Sequence, residues 1–312
     1  MNIENPTIAS RQLKPAKLRP GDLVRLVSPA STPDEESVVR SIQLLENLGL
    51  RVDLGRHIFD KYGYLAGRDE YRLADLNGAL NDPAVRAVIA TRGGKGAYRI
   101  ADSLDFQAMR ADPKLLIGFS EVTILHLALW HYACVPGIHG ACWDVEQFGE
   151  ASAQSFQRAI LTTEPVIIRS ASDEATSALT TRGQVRGTLL GGNLDMIAAA
   201  AGWVLPNLKG AILLIEDVEK GLGHIDRHLT RLLKAGYLNG ILGIAVGQFM
   251  GFKESCGWNV ADVLRDRLAP LGVPMLGGLP LGHGPNAIAL PIGTEAILDA
   301  DHGTLTVEPA TR

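Results

Sequence analysis

Short apolar runs alternate with helix-patterned segments through most of this chain, and that alternation restricts the fold more than any other feature. Leu23 to Val27, Arg51 to Leu54 and Val85 to Ala90 have the length of strands. Between them, Asp34 to Leu48 reads as an amphipathic helix, and Asp69 to Leu80 puts Leu73, Leu76 and Leu80 on one helical face. Strands that alternate with helices pair in parallel, because a parallel neighbour needs a crossover. An α/β fold is therefore expected, with functional groups gathered at the carboxyl ends of its strands. At 312 residues and 46% hydrophobic content the chain can bury a large core, which suggests two domains. The expected division is an N-terminal parallel-sheet α/β domain over 1–167 and a smaller C-terminal mixed α/β domain over 185–312. Between them, a linker is expected over 168–184, where Ser170-Ala171-Ser172-Asp173-Glu174 turns the chain polar.

One strand end carries a serine. Leu115, Leu116 and Ile117 form an apolar run of strand length, and Val122, Leu125, His126 and Leu129 then recur at helical spacing. Ser120 thus stands at a strand-to-helix corner, where a hydroxyl is pushed out of the sheet toward the free N–H groups of the helix start. That is the mechanics of a nucleophile elbow. Gly118 suits the tight corner, although Val122 occupies the place of the second glycine in G-x-S-x-G. Read alone, the corner is more readily a helix cap, with the Ser120 hydroxyl bonding the N–H of Val122 or Thr123.

A second strand end carries Thr91-Arg92-Gly93-Gly94-Lys95-Gly96-Ala97. Lys95 is followed by Gly96 rather than Ser or Thr, and the dinucleotide glycine spacing is incomplete, so neither phosphate-binding motif is present. The loop remains either a nest of N–H donors for an oxyanion or a tight turn. Further on, Asn193 is placed to cap a helix from Leu194 to Ala201. Ala211 to Ile215 is a buried strand that delivers Glu216 and Asp217 at its end. His224 and His228 have the i, i+4 spacing of two metal ligands, but no glutamate of an H-E-x-x-H motif lies between them and no third ligand is evident, so no metal site is assigned. His283 lies in a loop between Gly282 and Gly284. Pro136 to Phe148 reads as irregular, and Ala296 to Leu298 with Thr304 to Val307 as a hairpin.

Several partners are excluded. Net charge is −4 with no basic stripe, which argues against nucleic acid. The longest apolar stretch, Ile197 to Leu205, is too short to span a bilayer, and Met1 to Arg19 has no apolar signal core. Cys134, Cys142 and Cys256 are odd in number and lack C-x-x-C spacing, as in a reducing compartment. A cytoplasmic protein is expected.

Ser120, Glu216 and His283 follow one another in the order nucleophile, acid, histidine. With Arg92-Gly93-Gly94, Gly118-Phe119-Ser120, Gly191-Gly192-Asn193-Leu194, Glu216-Asp217-Val218, Ile225-Asp226-Arg227 and Gly282-His283-Gly284, the chain resembles the LD-carboxypeptidase family, the muramoyltetrapeptide carboxypeptidases, from Leu23 to its C-terminus. It departs from the family pattern in having Glu121 where an aspartate usually follows the serine. The resemblance implies a two-domain serine carboxypeptidase without a cofactor, a homodimer with its site at the domain junction, and release of terminal D-Ala from murein tetrapeptide. It implies Ser120 as nucleophile, His283 as base and Glu216 as the acid that orients it. The backbone N–H groups of Gly94 and Glu121 are the oxyanion-hole candidates. Arg92, with Gly93, is the candidate for the substrate's terminal carboxylate. A related branch, the microcin C immunity-type hydrolases, cleaves adenylate analogues. For that branch Trp143 is the nearest aromatic shelf, although a packing role suits it better. A non-catalytic anion-binding protein would need neither Ser120 nor His283.

Overall fold

The computed structural model describes residues 12–140, 149–219 and 221–312. Trp143 and Cys142 lie outside the described residues. The expected alternation is present. In the first half it runs β1 (Leu23–Val27), α1 (Glu35–Asn47), β2 (Arg51–Leu54), α2 (Asp69–Asn81), β3 (Val85–Ala90), α3 (Phe106–Ala111), β4 (Leu115–Gly118), α4 (Thr123–Ala133) and β5 (Gly137–His139). Asp34 starts α1 by accepting the Ser37 N–H at 2.7 Å, which satisfies one of the unpaired donors of a helix start. β4 is buried along its whole length, as an apolar run between two layers must be.

After α5 (Glu150–Leu161) and β6 (Val166–Arg169) come β7 (Gln184–Asn193), α6 (Leu194–Ala200), β8 (Ala211–Val218), α7 (Leu222–Lys234), β9 (Gly243–Met250), α8 (Val260–Leu268) and β10 (Met275–Leu276). The chain ends in β11 (Leu290–Ile292), β12 (Glu295–Asp299) and β13 (Thr304–Val307). β12 and β13 form the expected antiparallel hairpin.

The strands make two sheets. The first has the order β11-β5-β4-β3-β1-β2, parallel except for β11, which runs antiparallel to β5. The second has the order β10-β9-β8-β7-β12-β13-β6, parallel from β10 to β7 and antiparallel beyond. Two sequence readings change here. Pro136 to Phe148 is not wholly irregular, because Gly137–His139 pairs with both β4 and β11. Nor is 168–184 a bare linker. It begins inside β6, which belongs to the second sheet, and it buries Thr176 and Leu179 in a helical turn at Ala175–Leu179. Polar composition misled there, since Ser and Thr hydroxyls tie the segment down: Ser170 Oγ donates to Gly277 O at 2.7 Å and Thr176 Oγ1 to Gly247 O at 3.0 Å.

α4 is buried on every side from Thr123 to Trp130, so it is core to both halves rather than a surface helix. One apolar cluster runs from Val88 and Leu116 through Leu125 and Leu129 to Leu190, Leu194 and Leu213. The end of β7 reaches the start of α4, just after β4, where Thr123 Oγ1 accepts the Asn193 N–H at 3.1 Å.

Candidate active site

The corner at Ser120 is built by backbone geometry. Ser120 has φ 61°, a left-handed conformation that costs a non-glycine residue energy and gathers at functional sites. It opens a single helical turn, Ser120–Val122, before α4; the cap positions of the turn and of α4 fall to Phe119 and Val122 instead. Gly118 is required by contact, since a Cβ there would stand 2.9 Å from Val122 Cγ1 and 3.1 Å from Ala90 Cβ. Val122, in place of a second glycine, thus packs directly over the first.

The glycine loop closes on this corner. A Cβ at Gly93 would lie 2.8 Å from Ser120 Cβ and 3.4 Å from the Glu121 backbone nitrogen. Gly93 is therefore the loop residue against the serine, while Gly94 packs on Ser31. Glu121 does more than the sequence indicated. Its buried carboxylate accepts the Gly96 N–H at 2.7 Å and so ties the loop to the corner. Burial pushes its pKa up, against the pull of that N–H. Arg92 is exposed.

The second half supplies an acid and a histidine. His283 Nδ1 and Glu216 Oε2 are 2.7 Å apart, with Glu216 fully buried and the imidazole partly exposed. Burial disfavours the imidazolium, but the Glu216 charge and its hydrogen bond outweigh this and raise the His283 pKa above the usual 6.5. Glu216 lies within β8 rather than just beyond it, at a register shift between β8 and β9. Bulges of this kind re-aim side chains. The His283 loop rests on β9: Gln248 accepts the Gly284 N–H at 2.9 Å and donates to Pro285 O at 3.2 Å and Glu174 Oε1 at 2.7 Å. Neither Gln248 nor Glu174 carries a sequence signal, because both act only through tertiary contacts.

The two sets meet at Phe119, whose ring centroid is 4.9 Å from that of His283. No Ser120–His283 hydrogen bond is among those of the described residues. Beneath them lies His139, which is buried. Its pKa is pushed down to about 4 by burial and by the neighbouring His283, against the attraction of Glu216. It is neutral at neutral pH. His224 and His228 stand apart on α7, where His228 Nε2 lies 3.3 Å from Asp195 Oδ1. No group of three metal-ligating side chains occurs among the described residues, and no helix among them is long and apolar enough to cross a membrane.

An imidazole with a buried carboxylate on Nδ1 keeps Nε2 for proton exchange with a hydroxyl, and His283 packs on Phe119, the residue before Ser120. Comparison with known proteins shows the family. Residues 24–140 match the LD-carboxypeptidase N-terminal domain and residues 186–298 the LD-carboxypeptidase C-terminal domain. The chain is 34% identical to the "Probable murein peptide carboxypeptidase" of Bacillus subtilis, over 96% of each chain. It is 31% identical to the murein tetrapeptide carboxypeptidase of Pseudomonas aeruginosa, covering 89% of this chain and 93% of that one. The crystal structure of muramoyltetrapeptide carboxypeptidase from Oxalobacter formigenes superposes with a TM-score of 0.82 at 26% identity, covering 93% of this chain and all (100%) of the other. With both domain matches in sequence order and these relatives aligned nearly end to end, the chain belongs to the LD-carboxypeptidase family.

Proposed function

We propose that this chain is a serine carboxypeptidase that hydrolyses the L,D-peptide bond of murein tetrapeptide and releases terminal D-Ala. The observation that carries the reading is the Glu216–His283 pair at 2.7 Å, whose imidazole packs on Phe119, next to the Ser120 held at φ 61°. His283 Nε2 takes the Ser120 proton as the hydroxyl attacks the scissile carbonyl. Glu216 keeps the proton on Nδ1 and stabilises the imidazolium. The oxyanion is received by the backbone N–H groups of Gly94 and Glu121. The imidazolium then protonates the D-Ala amine, leaving an acyl-enzyme that water releases. Arg92, exposed beside the glycine loop, pairs with the terminal carboxylate. On the same reading the protein works on recycled wall peptide in the cytoplasm, as a homodimer, without a metal or cofactor.

Incubation with L-Ala-γ-D-Glu-meso-diaminopimelate-D-Ala is expected to yield free D-Ala and the tripeptide. The C-terminally amidated tetrapeptide is expected to react poorly. An untouched tetrapeptide beside a cleaved peptidyl sulfamoyl adenylate would replace this reading with the immunity-type one. If neither is cleaved and a fluorophosphonate leaves Ser120 unlabelled, the anion-binding reading takes its place.

A further inference from the structure

Asp217 directly follows Glu216 but points elsewhere, as adjacent residues of a strand do. Its Oδ1 accepts the Val218 N–H at 2.9 Å and the Asn193 side-chain Nδ2–H at 3.1 Å. Asn193 is the residue opposite Glu216 in the β7–β8 pairing. Its own Oδ1 caps α6 by accepting the Met196 N–H at 3.3 Å, so its side chain is held from both ends. Its backbone N–H donates to Thr123 Oγ1 at 3.1 Å. Thr123 is the first residue of α4, three positions after Ser120. Thr123, Asn193 and Asp217 are all buried, at 5% exposure or less. The preceding Gly192 leaves no slack, because a Cβ there would stand 2.7 Å from Thr123 Oγ1.

We infer that Asp217 is a positioning residue: acting through Asn193 and Thr123, it holds the Ser120 corner in register with the Glu216–His283 pair. The inference rests on the reading of Ser120, Glu216 and His283 given above. The physical need is plain. The nucleophile comes from one sheet and its base from another, and between the sheets lies an apolar layer around α4. Apolar contact is non-directional and resists sliding weakly, whereas buried hydrogen bonds fix both distance and angle. A misplacement of about 1 Å between reacting groups costs on the order of a hundred-fold in rate.

The test is a set of variants measured for kcat, KM, pH profile and melting temperature. Thr123→Val removes the acceptor at nearly constant volume. It is expected to lower kcat by roughly ten- to a hundred-fold with KM and the acid limb of the pH profile unchanged. Thr123→Ser restores the hydroxyl and is expected to recover most of the loss. Asp217→Ala is expected to lower kcat to a similar degree, and the double variant Thr123→Val with Asp217→Ala to lose little more than the worse single one, since both cut the same link. Asp217→Asn keeps an oxygen for Asn193 and is expected to retain most of kcat. It moves the acid limb down, because the Asp217 charge also favours the His283 imidazolium. Thr123→Ala is carried alongside, so that loss of fold in the valine variant leaves a second readout of the same acceptor.

A folded Thr123→Val or Thr123→Ala enzyme within two-fold of wild-type kcat would overturn the inference, as would single-variant losses that simply multiply. A Ser120→Ala enzyme that still turned over would instead remove the reading beneath it, so the two failures are separable.

Discussion

Ser120 is held by its backbone, whereas His283 is held by side chains. On the first side the serine is held left-handed, and the glycine packed beneath Val122 and the close approach of Gly93 depend on the absence of side-chain atoms. On the second, a charged hydrogen bond to Glu216 aims the imidazole, and the Gln248 amide braces its loop. Backbone packing sets a position without itself binding a proton. Charge sets a position and a proton affinity together. The two sides should therefore fail differently: the serine side in rate at every pH, the histidine side in rate and pH dependence at once.

The largest effect expected is from Ser120→Ala, on the order of a million-fold in kcat. Because the serine side chain caps no helix in this structure, the melting temperature should hardly move. A variant retaining a tenth of wild-type turnover would dissolve the comparison, since the serine side would then hold no nucleophile.

Next is Glu216→Gln, expected to lose roughly ten-thousand-fold through a disfavoured tautomer and an unstabilised imidazolium. The pH profile sharpens the point. On the proposed reading His283 acts as a base only when neutral, so wild-type kcat/KM should fall as pH drops through its raised pKa, above 6.5. Without the Glu216 charge that limb should move to lower pH. For stability the sign is opposite: a raised histidine pKa adds stability below the unfolded value, and that stability is lost as pH rises through the folded value. An acid limb unmoved by the substitution would show that another group controls it.

Gly93→Ala should cost about a hundred-fold in kcat without shifting the pH profile, because the new methyl presses on Ser120 but leaves His283 alone. A shifted profile would show that the two sides are not separate in the way described. The smallest effect belongs to His224→Ala on α7, expected to stay within about 0.5 kcal/mol in stability and near wild type in activity, with or without a chelator. Zinc-restored activity after chelation would reopen the His224 and His228 pair.

The regular layers were legible from the chain because each lengthy element repeats a single pattern. β1 and β3 match their apolar runs residue for residue, and the corner at Ser120 follows from one run ending where a helical face begins. Three-residue strands such as β5 and β11 have no periodicity to read, and the pairing between them joins residues more than a hundred positions apart. The site divides along the same line. Ser120, Glu216 and His283 carry reactive groups at strand ends or in a glycine-flanked loop. Gln248, Glu174 and the Asn193–Asp217 contact become visible only once tertiary structure brings them together.

β11 also has a consequence for how the protein is made. Leu290, Pro291 and Ile292 complete the first sheet by covering the edge of β5, while Leu290 and Ile292 pack in the apolar cluster of the second. A proline suits this place, since an outermost strand need not donate along its far side. During translation residue 290 emerges roughly 150 residues after His139, a delay of about eight to thirty seconds at ordinary elongation rates. Through that interval the first sheet keeps an unpaired edge at β5, a template for pairing with another nascent chain. A message broken before codon 290 therefore yields a product whose β5 edge stays bare, which predisposes it to aggregation rather than to partial function.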